Sequence, residues 1–518
     1  MKSILFSLLS LAALITLAIT ALRLIFRVPS TKGRPIETAI PPSADSRLVR
    51  EISGDTRDHP GKSGVIEIPK GADALNCRLM LIDEATQSLD IQYYIWQDDT
   101  SGRLMFRHIH AAAERGVKVR LLLDDNGIPG LDPIIASLNA HPNIRIRLFN
   151  PSAVRNPKLA GYAFDFFRMN RRMHNKALIA DGAATVIGGR NIGDIYFEIG
   201  DDTFFLDLDV LAVGEVVSVI SRQFDLYWNS ESAIAAELML KAKPGNIATQ
   251  LALPGKKVST KSEKLALLRY EDCVAGLRGK GAFEWTHVRA IYDDPAKGLG
   301  RVKQDQLLIA ALPQLTGTPT TQTDLASAYF VPGPRGVRFF CDMAKRGVRV
   351  RILTNSAAAN DVKIVHSGYL KYRKALLEAG VELFELKHAG PSVHHSPRSD
   401  FDGLMTGSST ASLHAKTFAI DKQRIFIGSF NFDPRSVMLN CEMGMMIENP
   451  RLAAQLSTVF DEELAHQSYR PQLRDRNLVW IETASDGAEV IHTVEPGTTA
   501  SQRLFLRAVG YLPIEWLL

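Results

Sequence analysis

The residues best suited to chemistry occur twice. MHNKALIADGAATVIGGRN sets His174, Lys176 and Asp181 ahead of Gly188, Gly189 and Asn191. LHAKTFAIDKQRIFIGSFN sets His414, Lys416 and Asp421 ahead of Gly428, Ser429 and Asn431. In both copies the first glycine stands 14 positions and the asparagine 17 positions after the histidine. With 13 histidines in 518 residues, and Lys and Asp at ordinary frequencies, H-x-K-x-x-x-x-D is expected by chance about 0.05 times. Two copies in matching register therefore point to one shared chemistry, and the six motif residues form the candidate catalytic set.

Each motif reads as an apolar strand entering a hairpin, with Asp181-Gly182 as a turn pair in the first copy. Side chains two apart project from one face, so His174 joins Lys176 and His414 joins Lys416. An aspartate seven positions on falls on the other face or in the turn. Asp181 and Asp421 are therefore expected to anchor the hairpins rather than enter the reacting cluster.

Two histidines, two lysines and two asparagines suit phosphoryl transfer. One imidazole attacks phosphorus to give a phosphohistidine while the other protonates the leaving oxygen. Lys176, Lys416, Asn191 and Asn431 are candidates to hold the phosphoryl oxygens, and Gly188, Gly189 and Gly428, with Ser429 beside them, to let the backbone come close. No metal or cofactor is expected, because lysine is not a usual divalent ligand and no carboxylate-rich cluster accompanies the motifs. A nucleophilic histidine needs a fixed tautomer, which a neighbouring carboxylate can set. Glu442, in NCEMGMMIE, is assigned to His414, and Asp207 or Asp209, in FLDLDVLAVG, to His174. Arg168, Arg171 and Arg172, just before the first motif, are candidates for anionic headgroup contact. His394 and His395, before the second, are given no chemistry.

The elements that must position these residues also come in duplicate. LDIQYYIW, SGRLMFRHIHAAAERG and VKVRLLLDDNG read as strand, helix and strand, and ASAYFVPG, VRFFCDMAKRG and VRVRILTNS repeat the order. This predicts an α/β fold with duplicated α/β/α halves and parallel strands around one active site at a pseudo-twofold interface. Domain boundaries are expected at 1–27 (transmembrane anchor), 28–64 (linker), 65–236 (first half), 237–300 (connector with helical, Lys-rich pieces around 263–277), 301–475 (second half) and 476–518 (C-terminal, membrane-proximal).

The anchor rests on Ser3 to Leu22, 20 residues without a charge. At about 1.5 Å per residue they span a ~30 Å hydrocarbon core, and no small-x-small cleavage site follows. Lys2 on one side, against Arg23, Arg27, Lys32 and Arg34 on the other, places the body on the cytoplasmic side. Four scattered cysteines without paired spacing read as buried thiols in a reducing compartment. The net charge of +5 suits an anionic partner, such as a lipid surface, a phosphate substrate or nucleic acid.

With two such motifs, each followed by G-G/S-x-N, the chain resembles the phospholipase D superfamily. Within it, NRRMHNKALIADG, GGRNIGDIYF and SLHAKTFAIDKQRIFIGSFNFDPRSVMLNCEMG are similar to the bacterial cardiolipin synthases, most closely the C type. The resemblance implies two α/β halves sharing one site, a covalent phosphatidyl-histidine, and transfer of that phosphatidyl group to phosphatidylglycerol. It implies phosphatidylethanolamine as donor in the C type and a second phosphatidylglycerol in others, with His174 as nucleophile and His414 as acid and base. Phospholipid and membrane are then the partners and the bacterial inner membrane the location; an accessory protein is left open. Hydrolysis by water and metal-independent cleavage of nucleic acid are the alternatives within the superfamily. The anchor favours lipid, and no basic, aromatic stacking array tracks a single strand, so no nucleic acid is expected. A non-catalytic membrane-tethered scaffold is the alternative of another class.

Overall fold

The computed structural model describes residues 2–200, 204–241, 245–253, 283–388, 411–484 and 486–518. Two mixed sheets carry the duplication. In the first, Ser88–Tyr93, Lys118–Asp124 and Ile144–Phe149 run parallel, joined through helices Thr100–Glu114 and Asp132–Asn139. In the second, Gln322–Ser327, Arg349–Asn355 and Glu382–Leu386 do the same through Gly333–Lys345 and Lys363–Glu378. The motif hairpins, Ala177–Ala180 with Ala184–Gly188 and Lys416–Ile420 with Arg424–Gly428, add antiparallel beside the first parallel strand of each sheet. Glycines at 116 and 347, with φ of +98° and +88°, end the corresponding helices at the two Arg-Gly-Val junctions. The strand expected at ASAYFVPG lies earlier, over Gln322–Ser327. Its C-terminal part instead bonds along the second motif, Ala328 to the Ala415 carbonyl and Val331 to the Phe432 carbonyl.

The α/β duplication read from the sequence is present, and the core shows how the halves join. Each half keeps its own apolar cluster, and a third spans both, packing Met173, Leu206 and Val210 with Leu413, Cys441 and Met443. Backbone pairing crosses in the same place. His174 donates its N–H to the Cys441 carbonyl at 2.8 Å, and Phe204–Leu206 runs parallel to Ala411–Leu413.

Three regions differ from the boundaries expected above. Residues 28–64 do not form a free linker: Arg34 donates to the carbonyls of Ala233 and Ser230, Glu37 meets Arg147 and the Trp228 indole, and Ser46 caps helix Arg47–Asp58. Of the connector, the Lys-rich pieces around 263–277 lie outside the described residues, while Glu284–Thr286 extends the first sheet and Val288–Tyr292 the second. Strands only one residue apart thus stitch the sheets together. Beyond residue 476, two more strands continue the second sheet, and helix Ala500–Gly510 lies against Lys363–Glu378, where Glu495 meets His366 and Arg373 and Glu515 meets Lys371. The apolar C-terminal strip is therefore seated on the body, with its Leu518 carbonyl accepting from the Arg435 amide at 2.8 Å.

Lys2–Ile25 is one helix, long and apolar enough to cross a membrane, and none of its residues is buried. It meets the body at its C-terminal end, where Arg23 donates to the Phe164 carbonyl and Phe26, just past the helix, stacks on the Phe164 ring at 5.7 Å.

Candidate active site

The crossing strands bring the two motifs face to face. His174 and His414 each retain a small accessible edge, 7 % of the residue, over carboxylates that have none. The pairing is the reverse of the one expected from chain order. Nδ1 of His174 lies 2.8 Å from Glu442 of the second half, and Nδ1 of His414 lies 2.5 Å from Asp207 of the first. The reason is the crossed pairing: Glu442 follows Cys441, which pairs with Met173, and Asp207 follows Leu206, which pairs with Leu413. Asp209 takes neither histidine. It is held by the buried guanidinium of Arg78 at 2.9 Å, with Arg190 at 3.5 Å.

Each carboxylate fixes a tautomer, because a neutral imidazole donating from Nδ1 leaves the Nε2 lone pair free. Burial pulls the His174 pKa down to about 4 against the opposing charge of Glu442, and holds His414 well below its usual value with help from Lys416 and Lys176. Glu442 stays below the ordinary carboxylate range, since His174 and Lys176 outweigh its burial, while burial raises Asp207 against Lys416 and Arg190. The lysines are buried too. Burial lowers Lys176 to about 7, and lowers Lys416, each opposed by Glu442 and Asp207. Lys176 donates to the His174 carbonyl at 2.6 Å, and Lys416 to that of His414. Two buried ammonium groups whose charged form is costly without a further anion form a socket for negative charge.

The aspartates of the motifs are elsewhere. Asp181, at φ +52°, accepts from the backbone of Thr86, Gln87 and Ser88 and from the Ser46 hydroxyl; Asp421, at φ +51°, accepts from Thr320, Thr321 and Gln322. They tie the far ends of the hairpins to the neighbouring strands, so the structure does not bring these two members of the candidate set to the histidines.

The glycines also act differently from the phosphate-side role expected of them. A Cβ on Gly188 falls 2.0 Å from Asp209 Oδ1, one on Gly189 falls 2.1 Å from Asp207 Oδ1, and one on Gly428 falls 2.4 Å from the Met443 carbonyl. Their missing side chains make room for the adjacent carboxylate-bearing strands. Ser429, at the position matching Gly189, instead donates to Glu442 Oε2 at 2.5 Å and accepts from the Met443 amide. Asn191 is occupied, accepting from the Ile95 amide and donating to the Tyr196 hydroxyl at 3.0 Å. Asn431 is buried with its side-chain oxygen unpaired by protein.

Several neighbours escaped the sequence reading. The Tyr94 ring meets His174 edge-on at 4.9 Å with Lys176 Nζ 5.6 Å from its centre, and Tyr196 and Phe205 enclose His414 at 5.2 and 5.0 Å. Asp293, in the connector, accepts from the Glu442 amide and is held by buried Lys297 at 2.7 Å. The Asp-Pro pair at 433–434 and the Tyr-Tyr pair at 93–94 were visible as sequence, yet nothing local tied them to a histidine. Asp433 caps helix Pro434–Met438, and burial with the nearby Glu442 charge raises it to about 7. Arg172 is not free for a headgroup: it is fully buried against Asp124 at 2.6 Å, a pair whose disruption costs about 3–5 kcal/mol. Arg168 pairs with Asp165, and Arg171 donates to the Phe167 carbonyl. His394 and His395 lie outside the described residues.

Comparison with known proteins agrees with this architecture. A family profile described as "Cardiolipin synthase, PLD-like domain" matches residues 79–228 and 314–464, one span in each half. The chain is 44% identical over 91% of its length to the whole of cardiolipin synthase C of Escherichia coli. It is 25% identical over 77% of its length, and 67% of the relative's, to a cardiolipin synthase of Staphylococcus aureus. The crystal structure of phosphatidylserine synthase from Haemophilus influenzae, 14% identical, shares the fold with a TM-score of 0.55 over 91% of this chain and all of that one. With both motif-bearing halves matched and a relative this similar along its entire length, the chain belongs to the cardiolipin synthase family of phospholipase D-like proteins.

Proposed function

We propose that this protein is a phosphatidyltransferase that makes cardiolipin, moving a phosphatidyl group from phosphatidylethanolamine to phosphatidylglycerol through His174. The observation that carries the mechanism is that each histidine holds, through Nδ1, a fully buried carboxylate of the opposite half. Nε2 of His174 attacks phosphorus, the N–P bond forms, and the P–O bond to ethanolamine breaks as that oxygen takes a proton from His414. A primary hydroxyl of phosphatidylglycerol then gives its proton to His414 and attacks phosphorus, releasing His174 and forming cardiolipin. The phosphodiester contributes a negative charge between Lys176 and Lys416, which favours the charged form of both lysines and of His414. Asn431, just beyond strand Arg424–Gly428, supports the oxygens through its side-chain amide, while Asn191, already bonded to the Ile95 amide and the Tyr196 hydroxyl, supports them indirectly by fixing the wall beside His414. The 44% identity to a protein named cardiolipin synthase C supports the product; phosphatidylethanolamine as donor, rather than a second phosphatidylglycerol, is the choice the C-type resemblance of the motifs favours, and the ethanolamine release below tests it.

We place the catalytic body on the cytoplasmic side of the bacterial inner membrane, tethered by Lys2–Ile25, on the excess of basic residues following that helix. The test is lipid mass spectrometry in a bacterial host lacking its own cardiolipin synthases. Cardiolipin should accumulate with the intact chain and not with His174→Ala, with labelled ethanolamine released in proportion. Phosphatidic acid in place of cardiolipin would show water to be the acceptor; no change in either lipid would sink the proposal.

A further inference from the structure

A second surface of the molecule is arranged for lipid. Residues 158–169 form a short 3-10 turn and then helix Tyr162–Met169. Along this segment Leu159, Ala160, Ala163, Phe166 and Phe167 are exposed, while Gly161, Phe164 and Met169 are buried. The exposed set is apolar throughout, on both sides of the kink at Asp165, so apolar side chains of the kind normally turned to a core here face outward. Leu159 is 74 % and Phe167 61 % exposed. The C-terminal strip adds to it: the exposed Trp516 meets Phe166 edge-on at 6.4 Å, with exposed Leu512 one turn earlier in the chain. A monomer that leaves two phenylalanines, a leucine and a tryptophan side by side in water is presenting a docking surface.

The position of the stripe says what covers it. Phe164, in the middle of this helix, is the residue on which Phe26 stacks and to which Arg23 donates, and these two belong to the point where Lys2–Ile25 ends. A helix that crosses a bilayer delivers its last turn to the interface between chains and headgroups, and Ala163, Phe166 and Phe167 of the outward stripe lie within three residues of that contact. Aromatic rings and tryptophan in particular settle at that depth. We propose that the face formed by Leu159, Phe166, Phe167, Leu512 and Trp516 inserts into the bilayer interface beside the transmembrane helix. The segment runs directly into Arg171, Arg172, Met173 and His174, and Asn170 between them is gripped by Arg435 of the second half at 3.0 Å. Docking therefore holds the first motif against the lipid surface through a connection only four residues long. The inference requires that Lys2–Ile25 spans a membrane and does not require the proposed reaction.

The experiment is fluorescence quenching of the full chain reconstituted into phosphatidylethanolamine/phosphatidylglycerol vesicles with brominated acyl chains. Of the other four tryptophans, Trp228, Trp285 and Trp480 belong to the sheets and a covering helix, and Trp96 is fully buried. Quenching should occur in the wild type and be lost in Trp516→Phe, a substitution mild enough to keep the fold. It should also fall in Phe166→Ser/Phe167→Ser, which retains Trp516 and the transmembrane helix. Equal quenching in wild type and Trp516→Phe would overturn the proposal. So would efficient cross-linking of Phe167→Cys chains to one another in the bilayer, which would assign the face to a second copy. Because quenching is read without turnover, failure here is distinguishable from failure of the catalytic reading.

Discussion

Nδ1 of His174 and Oε2 of Glu442 lie 2.8 Å apart across 268 residues of chain. The contact makes the first motif dependent on a carboxylate from the second half, and the His414–Asp207 contact makes the dependence mutual.

Replacing either carboxylate by its amide tests this. Glu442→Gln and Asp207→Asn keep the shape but remove the charge that stabilises an imidazolium, so kcat should fall by on the order of 10²–10⁴. Turnover of phosphatidylethanolamine and phosphatidylglycerol in mixed micelles measures it, and wild-type rates in both variants would remove the carboxylates from the mechanism.

The pH profile has a defined sign. The nucleophile must be neutral, and His174 is held at about 4, so kcat/KM should rise as pH passes upward through about 4. His414 must enter protonated to act as acid and is held well below its usual value, so kcat/KM should fall first as pH rises through that lowered pKa, and again above about 7, where Lys176 loses its charge and sets the outer alkaline limb. Glu442 favours the charged lysine, and Glu442→Gln should therefore move the alkaline limb to lower pH. A limb that stays in place or moves upward would contradict the assignment.

The motif aspartates should matter for stability more than for chemistry. Asp181 is buried with several donors, and Asp181→Ala should cost about 3–5 kcal/mol, seen as a lowered unfolding temperature in detergent with turnover per folded molecule retained. Asp421 is less buried, and its variant should cost less. Although burial opposes ionisation there, backbone and hydroxyl donors hold its carboxyl at about 2, below the unfolded value of 3.8. Its contribution is thus complete above the unfolded value and disappears as pH falls through about 2. A folded but inactive Asp181→Ala would return that residue to the reaction.

Gly189→Ala should behave as a catalytic lesion. Its Cβ would meet Asp207 Oδ1, pushing that carboxylate off His414, and activity should fall on the order of 10²-fold. Combining it with Asp207→Asn should add little, since both act through one contact; full additivity in the double variant would refute the link.

The duplication, the grouping of His174 with Lys176 and of His414 with Lys416, and the anchoring of the hairpins by Asp181 and Asp421 were readable because each follows from short-range periodicity: two residues apart on a strand share a face, seven apart do not. The carboxylate partners were misassigned for the opposite reason. Glu442 follows His414 closely in the chain and Asp207 follows His174, so proximity in sequence suggested pairs that the crossed backbone pairing at Met173–Cys441 and Leu206–Leu413 exchanges. Asp293 was invisible for a related cause: its role is to hold the backbone of Glu442 from 149 residues away, which no local pattern records. The glycines were noticed correctly as places of close approach, but what approaches is a strand of the protein itself.

The exchange of carboxylates also sets an order of events during synthesis. A chain emerging from the ribosome presents its membrane helix first and His174 next, yet the group that orients that imidazole is still 268 residues from being made. Until it arrives, the first half can lie beside a bilayer full of phosphodiesters without a finished nucleophile. On the proposed mechanism, the first half alone is therefore expected to be inactive toward phosphodiesters until the second half supplies both Glu442 and His414.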